Sequence, residues 1–317
     1  MTNSSTTLNN NWKTLLGYKI DLDLFESNIS YTKSKELFEK YVKIINLETF
    51  SYCNRHCSYC PVSLVEQKQN IYLDESYFNL LIKNLKDINY KNTICLNLYN
   101  EPLSDKSIYD TIYRLREALP VANLFFNSNG DYVTMSVLDK LVEAGLNSIN
   151  ITLHTLPNEP YNNGNSLKKI DKFYNKLNLK YTIDSQKENQ YIKTSFKYKN
   201  LSIYVSTTNY NEYGESRAGS IDNLVEEVKR SWPCARPYRE FTIFSNGEAY
   251  PCCQIYAPLD SGKNSMGSIK NYDSIFELYT SYKLSKLRKH LYGYGIKKSP
   301  CDTCTEPFLH KDRNKLV

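Results

Sequence analysis

No part of the chain approaches the ~20 consecutive apolar residues that a membrane-spanning helix requires, so an integral membrane protein is not expected. The first eleven residues are polar and uncharged. They lack both the basic start and the apolar run of a secretory signal, which makes a cytoplasmic protein the expectation. Dense Lys/Arg blocks are missing too. Forty basic and 34 acidic residues leave a mild net charge of +6, without the footprint of a nucleic-acid binder. The expected partners therefore include no nucleic acid and no membrane, although the balance would suit an acidic protein. Aromatics are not scarce: 28 Tyr and 12 Phe argue against disorder over most of the chain. A length of 317 residues with 41% hydrophobic content suits one large domain, or a domain with a smaller appendage. The abundance of Asn, Lys, Ile and Tyr reads as codon bias and carries no functional weight.

Nine cysteines without a secretory signal are the strongest compositional feature. In a reducing compartment such cysteines are more often metal ligands than disulfides. Cys53, Cys57 and Cys60 crowd into eight residues; Cys234, Cys252, Cys253, Cys301 and Cys304 lie towards the end. Cys95, inside an apolar run, reads as a small buried core residue. Two separate metal-binding regions follow.

Between them, apolar runs alternate with helical stripes. Residues 41–47, 93–98, 121–126, 148–153, 179–183 and 201–205 are the strand candidates. Phe78, Leu81, Ile82 and Leu85 share one helix face; Ile108, Ile112 and Leu115 mark another. Thr134 is a candidate N-cap and Gly145 a stop around the stripe Leu138, Leu141 and Val142, and a weaker helix is expected over 167–177. This alternation predicts parallel β/α units, open or closed into a barrel, with chemistry on loops after the strands. The first three cysteines occupy such a loop.

The segment Cys53-Asn54-Arg55-His56-Cys57-Ser58-Tyr59-Cys60 is a CxxxCxxC motif. Three thiolates can hold three irons of a [4Fe–4S] cube that normally takes four protein ligands, leaving one iron open. A structural site would be closed. The plainer alternative is zinc, with a distant fourth ligand or with His56; His56 beside Cys57 makes joint tetrahedral ligation awkward. With an aromatic before its last cysteine and a strand ahead of it, the motif resembles the radical S-adenosylmethionine (SAM) superfamily. Further matches come in the superfamily's order. Glu101 and Pro102 match its Gly-Gly-Glu-Pro motif, while Tyr99 and Asn100 replace the glycines. Ser128-Asn129-Gly130 resembles its ribose-contacting segment, and Thr152 and His154 end the fourth strand. The resemblance implies a partial (β/α)6 TIM barrel and a SAM-binding [4Fe–4S] cluster on Cys53, Cys57 and Cys60. It also implies SAM contacts from Tyr59, Asn100, Glu101, Pro102, Ser128, Asn129, Thr152 and His154. Reductive cleavage of SAM then yields a 5′-deoxyadenosyl radical that abstracts hydrogen. For His154, a satisfied structural histidine remains an alternative.

Cys234, Cys252, Cys301 and Cys304 read as Cys-x17-Cys-x48-Cys-x2-Cys, with an Asn246-Gly247 hairpin signal between the first two. This resembles the small C-terminal β-hairpin/helix twitch domain, a shortened SPASM domain, and implies one auxiliary [4Fe–4S] cluster; a zinc ribbon is the alternative. Cys252 is favoured over Cys253 by the family's hairpin pattern. Arg217 lies in a segment similar to an Arg-Gly-Gly element of alcohol-oxidising twitch enzymes. It is the candidate for substrate binding or proton handling, against a plain surface arginine. The expected organisation is an extension (1–40), a SAM core (41–207), a linker carrying Arg217 (208–232) and the auxiliary domain (233–317).

Three functions are open at this stage. The first is oxidation of a hydroxylated small molecule, with the auxiliary cluster accepting an electron. The second is modification of a ribosomal peptide, with Cys253 as a hydrogen donor. The third is a non-catalytic zinc protein. A flavodoxin or ferredoxin is the expected reductant. The loops 158–165 and 186–200 carry no motif that names the substrate.

Overall fold

The computed structural model describes residues 20–66, 70–155, 159–225 and 229–306. Parts of the N-terminal extension, residue 158 and the end of the chain after 306 lie outside the described residues. Two compact units emerge: one gathers the described residues of 1–43, 215–242 and 247–317, the other those of 44–214 and 243–246.

Tyr41, expected to start a strand, instead ends helix α1 (Tyr31–Tyr41), and strand β1 (Ile44–Leu47) follows. In the larger unit, β1, β2 (Thr93–Cys95), β3 (Asn123–Ser128) and β4 (Ser148–Thr152) pair in parallel in that order. Helices α2 (Glu75–Asp87), α3 (Ile108–Ala118) and α4 (Met135–Ala144) connect them, and α5 (Asn163–Lys176) follows β4. Each connecting helix forms where apolar residues recur at helical spacing. In α2, Phe78, Leu81 and Leu85 are buried, and the Asp74 side chain accepts from the Ser76 N–H to cap the start. In α4, Thr134 Oγ1 accepts from the Val137 N–H at 3.2 Å. Gly145 closes the helix at φ +90°, where a Cβ would also press on the Arg116 side chain.

The sheet departs from the sequence expectation after α5. Residues 179–182 are not a strand; β5 (Ile183–Lys187), β6 (Tyr191–Tyr198) and β7 (Leu201–Thr208) form an antiparallel meander. β7 supplies the fifth parallel strand of this unit by pairing with β4. β6 was expected as loop because its alternation is weak: Ile192 and Thr194 are buried between exposed or half-buried polar neighbours. Left-handed Asn189 and Lys199 make the turns at its two ends.

The smaller unit contains α1, all but the last residue of β8 (Glu240–Ile243), β9 (Glu248–Tyr250), β10 (Gly267–Ser268), α6 (Ile275–Tyr279) and α7 (Tyr282–Tyr292). The N-terminal helix thus clusters with C-terminal elements. Phe38 of α1 explains this, since its ring sits 5.3 Å from each of Phe241, Phe276 and Tyr279. The Ser34 and Thr280 hydroxyls add a 2.8 Å hydrogen bond. Phe38 is fully buried, so Phe38→Ala is expected to cost about 3–5 kcal/mol. Denaturant unfolding followed by tyrosine fluorescence checks this; a cost below 1 kcal/mol would mean that α1 is not part of that core.

Candidate active site

Cys53, Cys57 and Cys60 are half-buried on the loop after β1, with the Cys60 N–H donating to the Cys57 carbonyl at 2.9 Å. Burial pushes the Cys53 thiol up to about 12, and the nearby Glu101, Cys60 and Cys57 add to it. Burial raises Cys57 as well. Thiolates so placed need a cationic group to exist at neutral pH, which a metal cluster supplies. Among the described residues, no three His, Cys, Asp or Glu side chains gather around one point as single-ion ligands.

Glu101 is buried beside this loop. One carboxylate oxygen accepts from the Ser128 hydroxyl at 2.8 Å and the Leu103 N–H at 3.1 Å. The other accepts from the Asn129 N–H at 2.7 Å. A carboxylate has about four acceptor positions, so room remains for one more donor. Burial pushes the Glu101 carboxyl up, and the bonds from Asn129, Ser128 and Leu103 pull against it. Pro102 opens the short turn that follows, and Asn100 Oδ1 accepts from the Leu98 N–H at 3.2 Å.

The residues between the cysteines are tied to the turn after β3. Asn129 Nδ2 donates to Asn54 Oδ1 at 2.7 Å, and Asn54 Nδ2 donates to Asp131 at 2.8 Å. Arg55 grips Asp131 with two bonds of 2.8 and 2.6 Å. Gly130, at φ +79°, is required because a Cβ there would lie 2.8 Å from Ile151 Cγ2. An open cavity is lined by Asn54, Arg55, His56, Cys57, Ser58, Tyr59, Asp131 and Thr155.

Tyr59 is buried, and its hydroxyl is 2.8 Å from His154 Nδ1. Tyr210 joins them, its ring 5.2 Å from Tyr59 and 6.1 Å from His154. Burial, with Arg55 and Lys169 adding, holds His154 down to about 4, so it is neutral at physiological pH. Thr152 ends β4 opposite Ser206.

Two features escaped the sequence reading. Glu48, directly after β1, is buried and accepts from the Tyr99 N–H at 3.2 Å and the Ser245 hydroxyl at 3.0 Å. Burial pushes its carboxyl to about 7, with the bonds from Tyr99 and Ser245 opposing. Because the folded value lies above the ordinary one, folding binds an extra proton between about pH 4.5 and 7. Stability from this group is full below that window and is lost as pH rises through it. Glu48→Gln should therefore flatten the fall in melting temperature across this window and gain about 2–3 kcal/mol above it. Parallel pH profiles of wild type and variant would contradict this.

The second is a belt of neutral amides on one face of the parallel strands. Asn97 Oδ1 accepts from the Asn127 N–H at 2.8 Å and from its side chain at 3.2 Å. Asn150 Nδ2 donates to Asn127 Oδ1 at 3.0 Å. Asn residues at spaced positions give no periodic signal in a sequence; only strand register aligns them.

In the smaller unit, Cys234, Cys252, Cys301 and Cys304 line one small cavity together with Arg230, Arg236, Gln254 and Glu306. Burial pushes Cys301 up to about 12, with Cys234 and Cys304 adding. Arg236 Nε is buried without a hydrogen-bond partner among the described residues, a donor left over for the sulfurs of a bound cluster. Four thiols and a spare N–H around one cavity fit a four-thiolate iron–sulfur group. Cys253 is not on that lining; it accepts from Arg236 Nη1 at 3.2 Å.

Arg217 is half-buried, with Nη1 3.5 Å from Glu215. Arg217 and Ala218 are both left-handed, at φ +50° and +53°, and Ser216 anchors the strained segment by donating to the Thr303 carbonyl at 3.0 Å. Such backbone is costly and clusters at functional sites.

A family model described as the radical SAM superfamily matches residues 47–189, and one described as an iron–sulfur cluster-binding (SPASM) domain matches 234–305. The chain is 25% identical over 267 residues to S-adenosyl-L-methionine-dependent 2-deoxy-scyllo-inosamine dehydrogenase of Niallia circulans, covering 84% of this chain and 94% of that protein. It is 24% identical over 139 residues to a probable GTP 3′,8-cyclase of Methanocaldococcus jannaschii, covering 44% and 43%. Among solved structures, BtrN in complex with AdoMet and 2-DOIA superposes with a TM-score of 0.62 at 22% identity, over 83% of this chain and 93% of that one. At that identity the likeness shows the fold.

Proposed function

Because the chain carries a radical SAM domain followed by a SPASM-type iron–sulfur domain, we propose that it oxidises a hydroxyl-bearing carbon of a small molecule in natural-product biosynthesis. When bound, SAM and the two clusters would supply radical hydrogen abstraction and an acceptor for the second electron, the substrate losing a hydrogen atom, a proton and an electron in all to become a ketone. The chain's own residues hold and orient. Cys53, Cys57 and Cys60 carry the first cluster, and the spare acceptor position of Glu101 takes the methionine ammonium. Ser128 and Asn129 place the ribose, while Asn100 and Pro102 shape the turn behind Glu101. Tyr59, Thr152 and neutral His154 flank the cofactor. Cys234, Cys252, Cys301 and Cys304 carry the auxiliary cluster, and Arg217 serves substrate binding or proton handling.

The amide belt of Asn97, Asn127 and Asn150 carries the substrate class. Amides donate to and accept from hydroxyls without needing a charge on the ligand. The dehydrogenase relative, named for an aminocyclitol, points the same way. A flavodoxin or ferredoxin supplies the electron, in keeping with the net charge of +6, and the protein works in the reducing cytoplasm away from nucleic acid. Among the described residues no helix is long and apolar enough to cross a membrane.

The test is anaerobic reconstitution, metal analysis and dithionite-dependent turnover with cyclitols and sugars. A ketone formed in step with 5′-deoxyadenosine supports the reading; two zinc sites and no SAM cleavage would end it. One observation favours peptide modification as a second reading: Cys253, next to Cys252, is not among the residues lining the four-thiol cavity, so its thiol is not committed there as a fifth ligand. Solvent deuterium at an inverted α-carbon, lost in Cys253→Ala, would select it.

A further inference from the structure

Arg230 is among the largest fully buried side chains, 1% exposed. Its Nε donates to the Trp232 carbonyl at 3.2 Å, Nη1 to the Glu306 carbonyl at 3.1 Å and Nη2 to the Pro233 carbonyl at 2.7 Å. The acceptors are all neutral backbone oxygens, and among the described residues no carboxylate pairs with it. Arg236, on the same cavity, differs: Glu240 and Glu306 neutralise it at 2.5 and 2.7 Å. A second buried cation repeats the pattern. Lys297 is 3% exposed, and its ammonium donates to the carbonyls of His290 and Gly293.

A buried charge without a counter-charge is expensive, and folds keep one where something compensates it. Arg230 faces the cavity lined by Cys234, Cys252, Cys301 and Cys304. Four thiolates around an iron–sulfur cube leave the assembly net negative, and each electron it accepts adds one more negative charge. A fixed positive charge in a site of low dielectric stabilises the more negative state more strongly. Charge and hydrogen bonding around a cluster are established controls of its potential. The three carbonyl bonds hold the guanidinium in place, so it cannot swing out to water when the cluster is oxidised.

We propose that Arg230 is a potential-setting residue of the auxiliary cluster: its buried guanidinium, held by backbone carbonyls on the four-thiol cavity, is the counter-charge that favours the reduced state. Lys297 contributes in the same direction from outside the cavity lining. This rests on the assignment of the four cysteines to an iron–sulfur cluster.

The experiment is an anaerobic redox titration of the reconstituted holoenzyme followed by electron paramagnetic resonance, comparing wild type, Arg230→Gln, Arg230→Lys and Lys297→Met. Arg230→Gln should lower the equilibrium constant for one-electron reduction of the auxiliary cluster about tenfold, a fall of about 59 mV in midpoint. Arg230→Lys should restore most of that difference, Lys297→Met should shift the midpoint the same way as Arg230→Gln, and the SAM-binding cluster should not move. A purely structural arginine would not give a charge-dependent potential. If both Arg230 variants lose the cluster, Lys297→Met carries the test, and an unmoved midpoint there overturns the proposal. Full iron in Arg230→Gln with an unmoved potential overturns this inference alone. Wild type holding only about four irons overturns it together with the two-cluster reading.

Discussion

Cys57→Ala, reconstituted anaerobically, makes no 5′-deoxyadenosine above background and holds about four irons where the wild type holds about eight. Both losses follow from the loop geometry. Cys53, Cys57 and Cys60 share one short loop whose intervening residues are pinned to Asn129 and Asp131, so no neighbouring thiol is placed to substitute. The iron left over belongs to the other cysteine set, which lies in a separate compact unit. The check is iron and sulfide content beside chromatographic 5′-deoxyadenosine. Cleavage above a tenth of wild type would mean that the front thiols do not carry the reactive cluster. Cys57→Ser separates chemistry from packing, since it keeps the side chain's size while weakening ligation of a soft metal.

The second large effect separates two activities that a single-cluster enzyme would lose together. Cys301→Ala with Cys304→Ala should leave dithionite-driven SAM cleavage within a few-fold of wild type while abolishing ketone formation. Both thiols line the cavity shared with Cys234 and Cys252, and none of these four lies on the loop after β1. Iron should fall to about four per chain. Product formed at the wild-type rate would show that the electron leaves by another route and that the back domain is structural. Loss of both activities would place the auxiliary unit in the folding of the core, a result that circular dichroism and the Phe38→Ala comparison would expose.

Local chemistry was legible in the order of residues alone. CxxxCxxC needs one loop, and the Glu101, Asn129 and His154 segments recur at strand ends. Thr134 and Gly145 mark α4 because caps act over one turn of chain. Strand β6 was less visible: its burial is set by pairing with β7, and a half-polar alternation resembles a loop until that partner is present.

What the sequence by itself determined, then, is the β/α frame and the places of the cysteine and polar motifs along it, since these depend on spacing over a few residues. The tertiary structure put Cys252, which the hairpin pattern already favoured, and not Cys253 on the four-thiol cavity, and it alone decided that Phe38 of the N-terminal helix belongs with Phe276 and Tyr279. It alone brought Asn97, Asn127 and Asn150 into one belt, buried Glu48 so that its carboxyl is pushed to about 7, and left Arg230 on backbone carbonyls with no carboxylate partner among the described residues. Each of these depends on burial and on partners distant in sequence, quantities a chain acquires only when it folds.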